Sequence, residues 1–188
     1  MDDKPLVVVV APGFEELELT APVDILRRLG VKVVLAGVEG LTVPGAHDIS
    51  VRADMLLVDV DAEAFCGVML PGGRASWQLR ETPAALALVR AMHRDGKLVA
   101  AICAAPIALE AAGVLVDRRI TCYPAADVRA DIPSAKAICD DPVVVDGHII
   151  TGRGPGAAME FGFALGAYLG YESQIPELRE QMCCINLS

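Results

Sequence analysis

Short apolar runs alternate with longer stretches of helical spacing along most of this chain, and proline or glycine separates several of them. The runs with the length and aliphatic character of buried strands are Pro5–Ala11, Val31–Ala36, Cys66–Leu70 and Leu98–Ile102. A parallel strand can be reached only through a crossover that packs on one face of the sheet. The alternation therefore predicts an α/β fold, a doubly wound and mostly parallel sheet with helices on both faces.

The remaining segments predict the helices and two hairpins. Helices are expected at Phe14–Leu29, after Gly73 to about Arg80, and at Pro83–Arg94, Ala104–Ala112, Ala157–Leu169 and Glu177–Met182. Pro22 predicts a kink or a restart in the first of these helices. One hairpin is expected within Leu41–Asp54, and a second is expected to pair Val143–Val145 with His148–Thr151. A short strand is expected at Arg119–Cys122. The rest of Ile132–Asp146 is expected to be irregular. Without repeats or linkers, residues 1–188 are predicted to form a single domain.

Composition narrows the classes of partner and compartment. The chain has 188 residues, 54% of them hydrophobic but only 4% aromatic, and its net charge is -9. An acidic surface without a basic cluster argues against nucleic acid or an anionic membrane as the main partner. The six cysteines include no CxxC pair and no zinc spacing, and neither a signal segment nor a membrane-spanning run is evident. We expect a cytoplasmic protein with reduced thiols that needs no metal and no cofactor.

Cys103 lies where a predicted strand changes into a predicted helix. Leu98–Ile102 precedes it, and Pro106 follows near the helix start. Free backbone N–H groups and the helix dipole at such a turn favour the thiolate, which is the nucleophilic and oxidisable form. A small cysteine filling the core explains the position equally well when it is taken alone.

Several other turns are expected to meet near Cys103, because sites in open α/β sheets lie beyond the carboxyl ends of the strands. These turns are Pro12–Glu18, Pro71–Gly73, Cys122–Pro124 and Gly152–Gly156. Glu18 is the carboxyl group favoured as a proton donor to sulfur or substrate, whereas Glu15 and Glu16 are explained as well by a helix N-terminus. The N–H groups of Gly72, Gly73 and Ala104 could form an oxyanion hole, although two glycines also suit a tight turn.

The remaining polar candidates are auxiliary. Gly152–Ala157 matches the pattern of a dinucleotide-binding fingerprint. We reject a dinucleotide site, because that fingerprint belongs to the first βαβ unit of its fold. Arg153 is expected to anchor a carboxylate, either locally or across a dimer. His47 could approach the site but is explained as well by a loop. Tyr123 is the polar side chain expected beyond a neighbouring strand. No histidine is an obvious base for Cys103, which weakens a Cys-His hydrolase.

Five motifs together resemble the ThiJ/PfpI superfamily, in its branch of parkinsonism-associated protein deglycase and YajL-like proteins. The motifs are Ala11-Pro-Gly-Phe-Glu-Glu-Leu-Glu18, Pro22-Val-Asp-Ile-Leu-Arg-Arg28, Leu70-Pro-Gly-Gly73, Ala100-Ala-Ile-Cys-Ala-Ala-Pro106 and Gly152-Arg-Gly-Pro-Gly156. The resemblance implies a flavodoxin-like fold of the class I glutamine amidotransferase type and a homodimer. It also implies Cys103 as nucleophile, protonated Glu18 as its partner, and Gly72, Gly73 and Ala104 as oxyanion-hole elements.

The chain departs from relatives in that superfamily at three positions. Tyr123 stands where the parkinsonism-associated protein has a histidine near the thiol, and His47 stands where it has an arginine. Ala104 stands where the protease branch has a histidine, which makes proteolysis an unfavourable reading. A neutral phenol cannot replace imidazole as a base near pH 7. Tyr123 at this position therefore does not define the rate or the substrate of a reaction at Cys103.

Three functions follow as hypotheses. The first is a glyoxalase or deglycase-like enzyme without cofactor, which converts α-oxoaldehydes such as methylglyoxal to hydroxy acids, or reverses early glycation, through Cys103 and Glu18. The second is a redox sensor or chaperone in oxidative stress, in which oxidation of Cys103 changes a binding surface. The third and least favoured is a cysteine hydrolase or amidase, which would need Tyr123 or His47 as its base.

Overall fold

The computed structural model describes residues 4–184, so the ends of the domain predicted at 1–188 (residues 1–3 and 185–188) lie outside the described residues. Its strands are β1 (Leu6–Val10), β2 (Val33–Gly37), β3 (Thr42–Pro44), β4 (Ser50–Arg52), β5 (Met55–Leu56), β6 (Gly67–Leu70), β7 (Leu98–Ile102), β8 (Arg119–Thr121), β9 (Ala137–Cys139), β10 (Val143–Asp146) and β11 (Ile149–Gly152). Its helices are α1 (Glu16–Arg28), α2 (Ala75–Glu81), α3 (Pro83–Arg94), α4 (Pro106–Ala111), α5 (Ala126–Ala130), α6 (Ala158–Gly166) and α7 (Ile175–Gln181).

The predicted doubly wound sheet is confirmed. Seven strands form it in the order β10-β11-β7-β6-β1-β2-β5, and every neighbouring pair is parallel except β10 with β11. Helices α1 and α6 pack on each other, while α2, α3 and α4 form a second group that packs on β6 and β7. Central β1 and β7 are wholly buried, as expected of parallel strands covered on both faces.

The structure differs from the local predictions at three places. Helix α1 runs through Pro22 without a restart, and α6 covers it there, because Gly162 brings the two backbones together. The segment predicted to be irregular contains β9, which pairs in parallel with β8 as a separate two-stranded sheet. The short helix α5 was not predicted. The hairpin of β3 and β4 and that of β10 and β11 are both confirmed.

Aliphatic side chains make up most of the core, as the composition predicts. Phe14 and Phe161 are the largest fully buried side chains in the described part. None of the helices in residues 4–184 combines the length and the apolar character needed to cross a bilayer.

The close approach of α1 and α6 generates a stability prediction. A Cβ on Gly162 would lie 2.9 Å from Pro22 Cα, which is backbone and cannot move aside alone. We expect Gly162→Val to lower the free energy of unfolding by about 2 kcal/mol, the usual cost of overpacking, as measured by urea denaturation. The matched control is Gly156→Ala, because a Cβ at Gly156 meets nothing within 4 Å. Equal stability of the two variants would contradict the packing argument.

Candidate active site

Cys103 occupies the turn that leaves the carboxyl end of β7, between two parallel neighbours. Its φ is +65°, a left-handed conformation that costs a residue with a side chain on the order of 1–3 kcal/mol. The backbone is held in place on both sides: its N–H donates to Gly152 O at 2.9 Å, and its carbonyl accepts from Tyr123 N at 2.8 Å. The residue is 8% exposed, so the turn presents a nearly buried thiol at the centre of the sheet edge.

Glu18 reaches the thiol from α1. Its side chain is fully buried, and Oε2 accepts a hydrogen bond from Gly72 N at 2.9 Å. Oε1 is buried without a hydrogen-bond partner among the described residues, and the Cys103 thiol is close enough to lower the pKa of the carboxyl group. Glu18 and Cys103 are therefore neighbours, and the role predicted for the pair stays a prediction.

The two glycines after β6 are required by close packing. A Cβ on Gly72 would lie 2.5 Å from Glu18 Oε2 and 2.7 Å from Cys103 Cβ. Gly73 has φ +82°, and a Cβ there would lie 2.5 Å from Gly13 O. A side chain at Gly72 would intrude between the thiol and the carboxyl group, and one at Gly73 would collide with the backbone that leads into α1.

The backbone amides predicted to form an oxyanion hole differ in their contacts. The N–H groups of Gly73 and Ala104 act on the sulfur and lower the pKa of Cys103. The N–H group of Gly72 donates to Glu18 Oε2, so in this structure it supports the carboxyl group.

The Cys103–Glu18 pair corrects the prediction that the turn favours a thiolate. Burial, followed by the charge of the Glu18 carboxylate, raises the pKa of Cys103. Burial also raises the pKa of Glu18 to about 7, against the lowering effects of the Cys103 and Gly72 hydrogen bonds. Two adjacent anions are unfavourable in such a site, so the pair keeps one shared proton around neutral pH. The amides lower the pKa as expected, but burial and the Glu18 carboxylate outweigh them.

His47 contacts the two carboxylates at the start of α1. Its backbone N–H and its Nδ1 contact the two oxygens of Glu16 at 2.6 and 2.8 Å, and Glu15 Oε2 lies 3.5 Å from Nδ1. Glu16 is buried, and although burial acts to raise its pKa, the hydrogen bonds from His47 and Ile49 bring that pKa down to about 2. Glu16 therefore fastens the β3–β4 turn to α1, whereas Glu15 N–H donates to Gly72 O beside the thiol.

Tyr123 and Arg153 line a cavity of about 330 Å³ beside Cys103. Its other walls are Pro124, Pro142 and residues 154–157. Arg153 Nη1 donates to Asp140 O and Oδ1 at 2.5 and 2.9 Å, so the carboxylate that it anchors is local. Cys103 does not itself line the cavity, but its backbone bonds to Tyr123 in one wall and to Gly152, which precedes Arg153 in the other, so the cavity lies near the Cys103 turn.

Sequence reasoning missed the shared role of Asp140, which also pairs with Arg129, and the strained backbone of Cys103. A non-glycine residue with positive φ leaves no pattern in a single sequence. The Glu16–His47 contact spans 31 residues and has no local signal either.

Comparison with protein families and solved structures supplies independent information. A family model described as "DJ-1/PfpI family" matches residues 4–167. The chain is 36% identical over 178 residues to protein dj-1beta of Drosophila melanogaster, in an alignment that covers 93% of this chain and 94% of that protein. It is 37% identical over 152 residues to deglycase TK1284 of Thermococcus kodakarensis, with 80% and 90% covered. The crystal structure of Drosophila DJ-1beta superposes with a TM-score of 0.91 at 34% identity, covering 97% of this chain and 98% of that one.

The raised pKa of Glu18 predicts a pH dependence of stability. A carboxyl group whose pKa rises from 4.5 to about 7 on folding favours the folded state fully below pH 4.5, and this stability is lost as pH rises through 7. Glu18→Gln has no such titration. We expect the wild type to lose up to about 3 kcal/mol of unfolding free energy relative to Glu18→Gln between pH 4 and 8.

Urea denaturation at a series of pH values measures this difference, with Glu180→Gln as control because that side chain is exposed. Wild type and Glu180→Gln should share one pH profile. A constant difference between wild type and Glu18→Gln across this range would show that Glu18 titrates normally.

Proposed function

Since the chain belongs to the DJ-1/PfpI family, we propose that it is a glyoxalase or deglycase-like enzyme without cofactor, acting on α-oxoaldehydes or their early glycation adducts. The observation that carries the proposal is the contact between the Cys103 thiol and the buried Glu18 carboxyl group, with two amides directed at the sulfur. Relatives named deglycases, at 35–38% identity, support the assignment to an enzyme of this type.

The first step is addition of the thiol to the aldehyde. The Cys103 sulfur bonds to the aldehyde carbon while its proton passes to the Glu18 carboxylate, and the carbonyl electron pair becomes an alkoxide. Glu18, with a pKa near 7, is matched to accept and return a proton at neutral pH. The amides of Gly73 and Ala104 are the donors near the developing oxyanion. Return of the proton gives a neutral hemithioacetal.

The second step moves hydrogen from the aldehyde carbon to the neighbouring carbonyl carbon. Glu18 removes the C–H proton and redelivers it to the neighbouring carbon, while the hydroxyl proton of the hemithioacetal passes to the ketone oxygen, which gives a thioester of a 2-hydroxy acid. Water then cleaves the thioester and restores the thiol, so that methylglyoxal and one water give lactate. No electron acceptor is needed, because one carbon is oxidised and its neighbour is reduced.

The cavity near the Cys103 turn has room for substrates larger than methylglyoxal. At about 330 Å³ it is at the lower end of typical small-molecule sites. Tyr123 and Arg153 would contact the substituent of the carbonyl compound. Glu15 and His47 would act indirectly, by holding the hairpin turn next to Gly72.

The two alternative functions have less support. A redox sensor or chaperone needs a readily formed thiolate, whereas burial and Glu18 raise the pKa of Cys103. A hydrolase needs a base at the thiol, but His47 contacts Glu16 and the other two histidines contact each other. The family assignment itself fits either an enzymatic or a redox role, so the redox function remains the second candidate.

We also propose a cytoplasmic homodimer. Leu17 on α1 and Ile49 on the β3–β4 hairpin are 57% and 58% exposed, and Glu16 joins these two elements next to the site. Exposed apolar side chains clustered in this way are typical of an interface. All six cysteines are unpaired, which suits a reducing compartment.

The activity prediction concerns the two members of the pair. Purified protein is expected to form lactate from methylglyoxal without glutathione. Cys103→Ser and Glu18→Gln should each lower kcat/KM by at least about 100-fold, because the first removes the nucleophile and the second the proton carrier.

Cys183→Ser is the matched control, since that thiol is exposed and distant in sequence. It should retain full activity. Unchanged turnover by Cys103→Ser would overturn the proposed reaction, and absence of turnover in the wild type would leave the redox role as the better assignment.

The homodimer predicts a change of mass in solution. A charge at an apolar interface is strongly unfavourable, so Leu17→Arg with Ile49→Arg should convert a particle of about twice 19.8 kDa into a monomer, as measured by light scattering. Val58→Arg, on another exposed apolar side chain, should remain dimeric. A monomeric wild type would refute the dimer.

A further inference from the structure

The other two histidines of the chain form a pair near the amino-terminal ends of the central strands, whereas Cys103 follows the carboxyl end of β7. His93 lies in the last turn of α3, and His148 in the turn before β11. His93 Nδ1 and His148 Nε2 are 2.9 Å apart. Strand β7 begins near this pair and ends at Cys103, and its five residues span about 16 Å. The pair is therefore separate from the proposed reaction.

From this geometry we infer a binding site for a late first-row divalent cation, with His93 Nδ1 and His148 Nε2 as its two protein ligands. Imidazole nitrogen is a preferred ligand of Cu²⁺, Ni²⁺ and Zn²⁺. Two nitrogens at right angles on an ion, each about 2.0–2.1 Å from it, lie about 2.9 Å apart; a tetrahedral pair lies about 3.4 Å apart. The spacing of 2.9 Å, which the rings hold as a hydrogen-bond contact without an ion, matches the right-angle geometry that is typical of Ni²⁺ and Cu²⁺.

The two rings have the orientation of converging ligands. Their centroids are 4.8 Å apart and their planes are inclined by 42°, so the rings are neither coplanar nor collinear. Collinear rings joined by a nitrogen contact of this length would have more distant centroids. Both rings are half-buried, which leaves one side for the water ligands that complete the coordination.

Both imidazoles are fixed by rigid elements. The carbonyl of His148 accepts from Val99 N at 2.9 Å, and that of His93 accepts from Gly96 N at 3.1 Å. Next to His148, Asp146 is held by Arg118 Nη1 at 3.3 Å and by Arg119 N at 2.8 Å. Binding an ion would therefore require little reordering of the ligands.

The charges that face the pair are compatible with a metal. Arg118 acts on both rings and Asp146 on His148, and these two side chains neutralise each other in an ion pair. Burial and then Arg118 lower the pKa of His93, whereas burial, the neighbouring ring and Arg118, in that order, lower the pKa of His148.

Calorimetric titration of the full reduced chain with Ni²⁺ at pH 7.5 tests the site. We expect one bound ion, and at least about a tenfold loss of affinity in His93→Gln and in His148→Gln. His47→Gln is the matched control, because it removes the remaining histidine; it should bind within about twofold of wild type. Methylglyoxal turnover should be unaffected in His93→Gln and His148→Gln, which separates this result from a failure of the proposed function.

NMR of the histidine rings in the wild type tests the same site without any substitution, so the result does not depend on whether a variant folds. Addition of Zn²⁺, which is diamagnetic, should shift the His93 and His148 ring signals together and leave those of His47 in place. Unchanged Ni²⁺ affinity in both pair variants would overturn the proposal and leave a simple hydrogen bond between the rings. Loss of binding in His47→Gln alone would also overturn it, since the ion would then belong to Glu15, Glu16 and His47.

Discussion

The Glu18 carboxyl group, held between the Gly72 amide and the Cys103 thiol, is the interaction on which the rest of the site depends. It joins the first turns of α1 to the ends of β6 and β7, so three crossover connections meet at one buried group. Burial disfavours the carboxylate, and the adjacent sulfur disfavours a second anion. One proton distributed between oxygen and sulfur satisfies both constraints, and the same proton is what carbonyl chemistry at the thiol requires.

The surrounding structure serves this contact. Gly72 and Gly73 lack side chains where a Cβ would intrude between thiol, carboxyl group and the backbone of α1. The left-handed backbone at Cys103 is compensated by hydrogen bonds to Gly152 and Tyr123, which anchor the turn to the neighbouring segments. Glu16 extends the arrangement outward by fastening the β3–β4 turn, so the site is bounded by elements that are far apart in sequence.

The sequence was sufficient for most of the fold because alternating aliphatic strands and helices admit few topologies. The Cys103 turn, the Gly72–Gly73 turn and Glu18 could be placed together, since parallel strands end at the same edge. Local patterns could not predict what depends on distant contacts. Pro22 failed to divide α1 because α6 packs there, and His47 turned to Glu16 through a contact across 31 residues. The protonation state of Cys103 could not be predicted either. The turn suggested only that amides lower the pKa of the thiol, whereas burial and Glu18 raise it.

The Cys103 site and the histidine pair lie at opposite ends of the parallel strands, so the two proposals can be tested independently. The central claim is that Cys103 and Glu18 share a proton, and the pH dependence of Cys103 alkylation by iodoacetamide tests it most directly. The account predicts a step in the wild-type rate near pH 7, where the pair loses its first proton, and its disappearance in Glu18→Gln. A single titration near the ordinary thiol value of about 8.5, identical in both proteins, would contradict it.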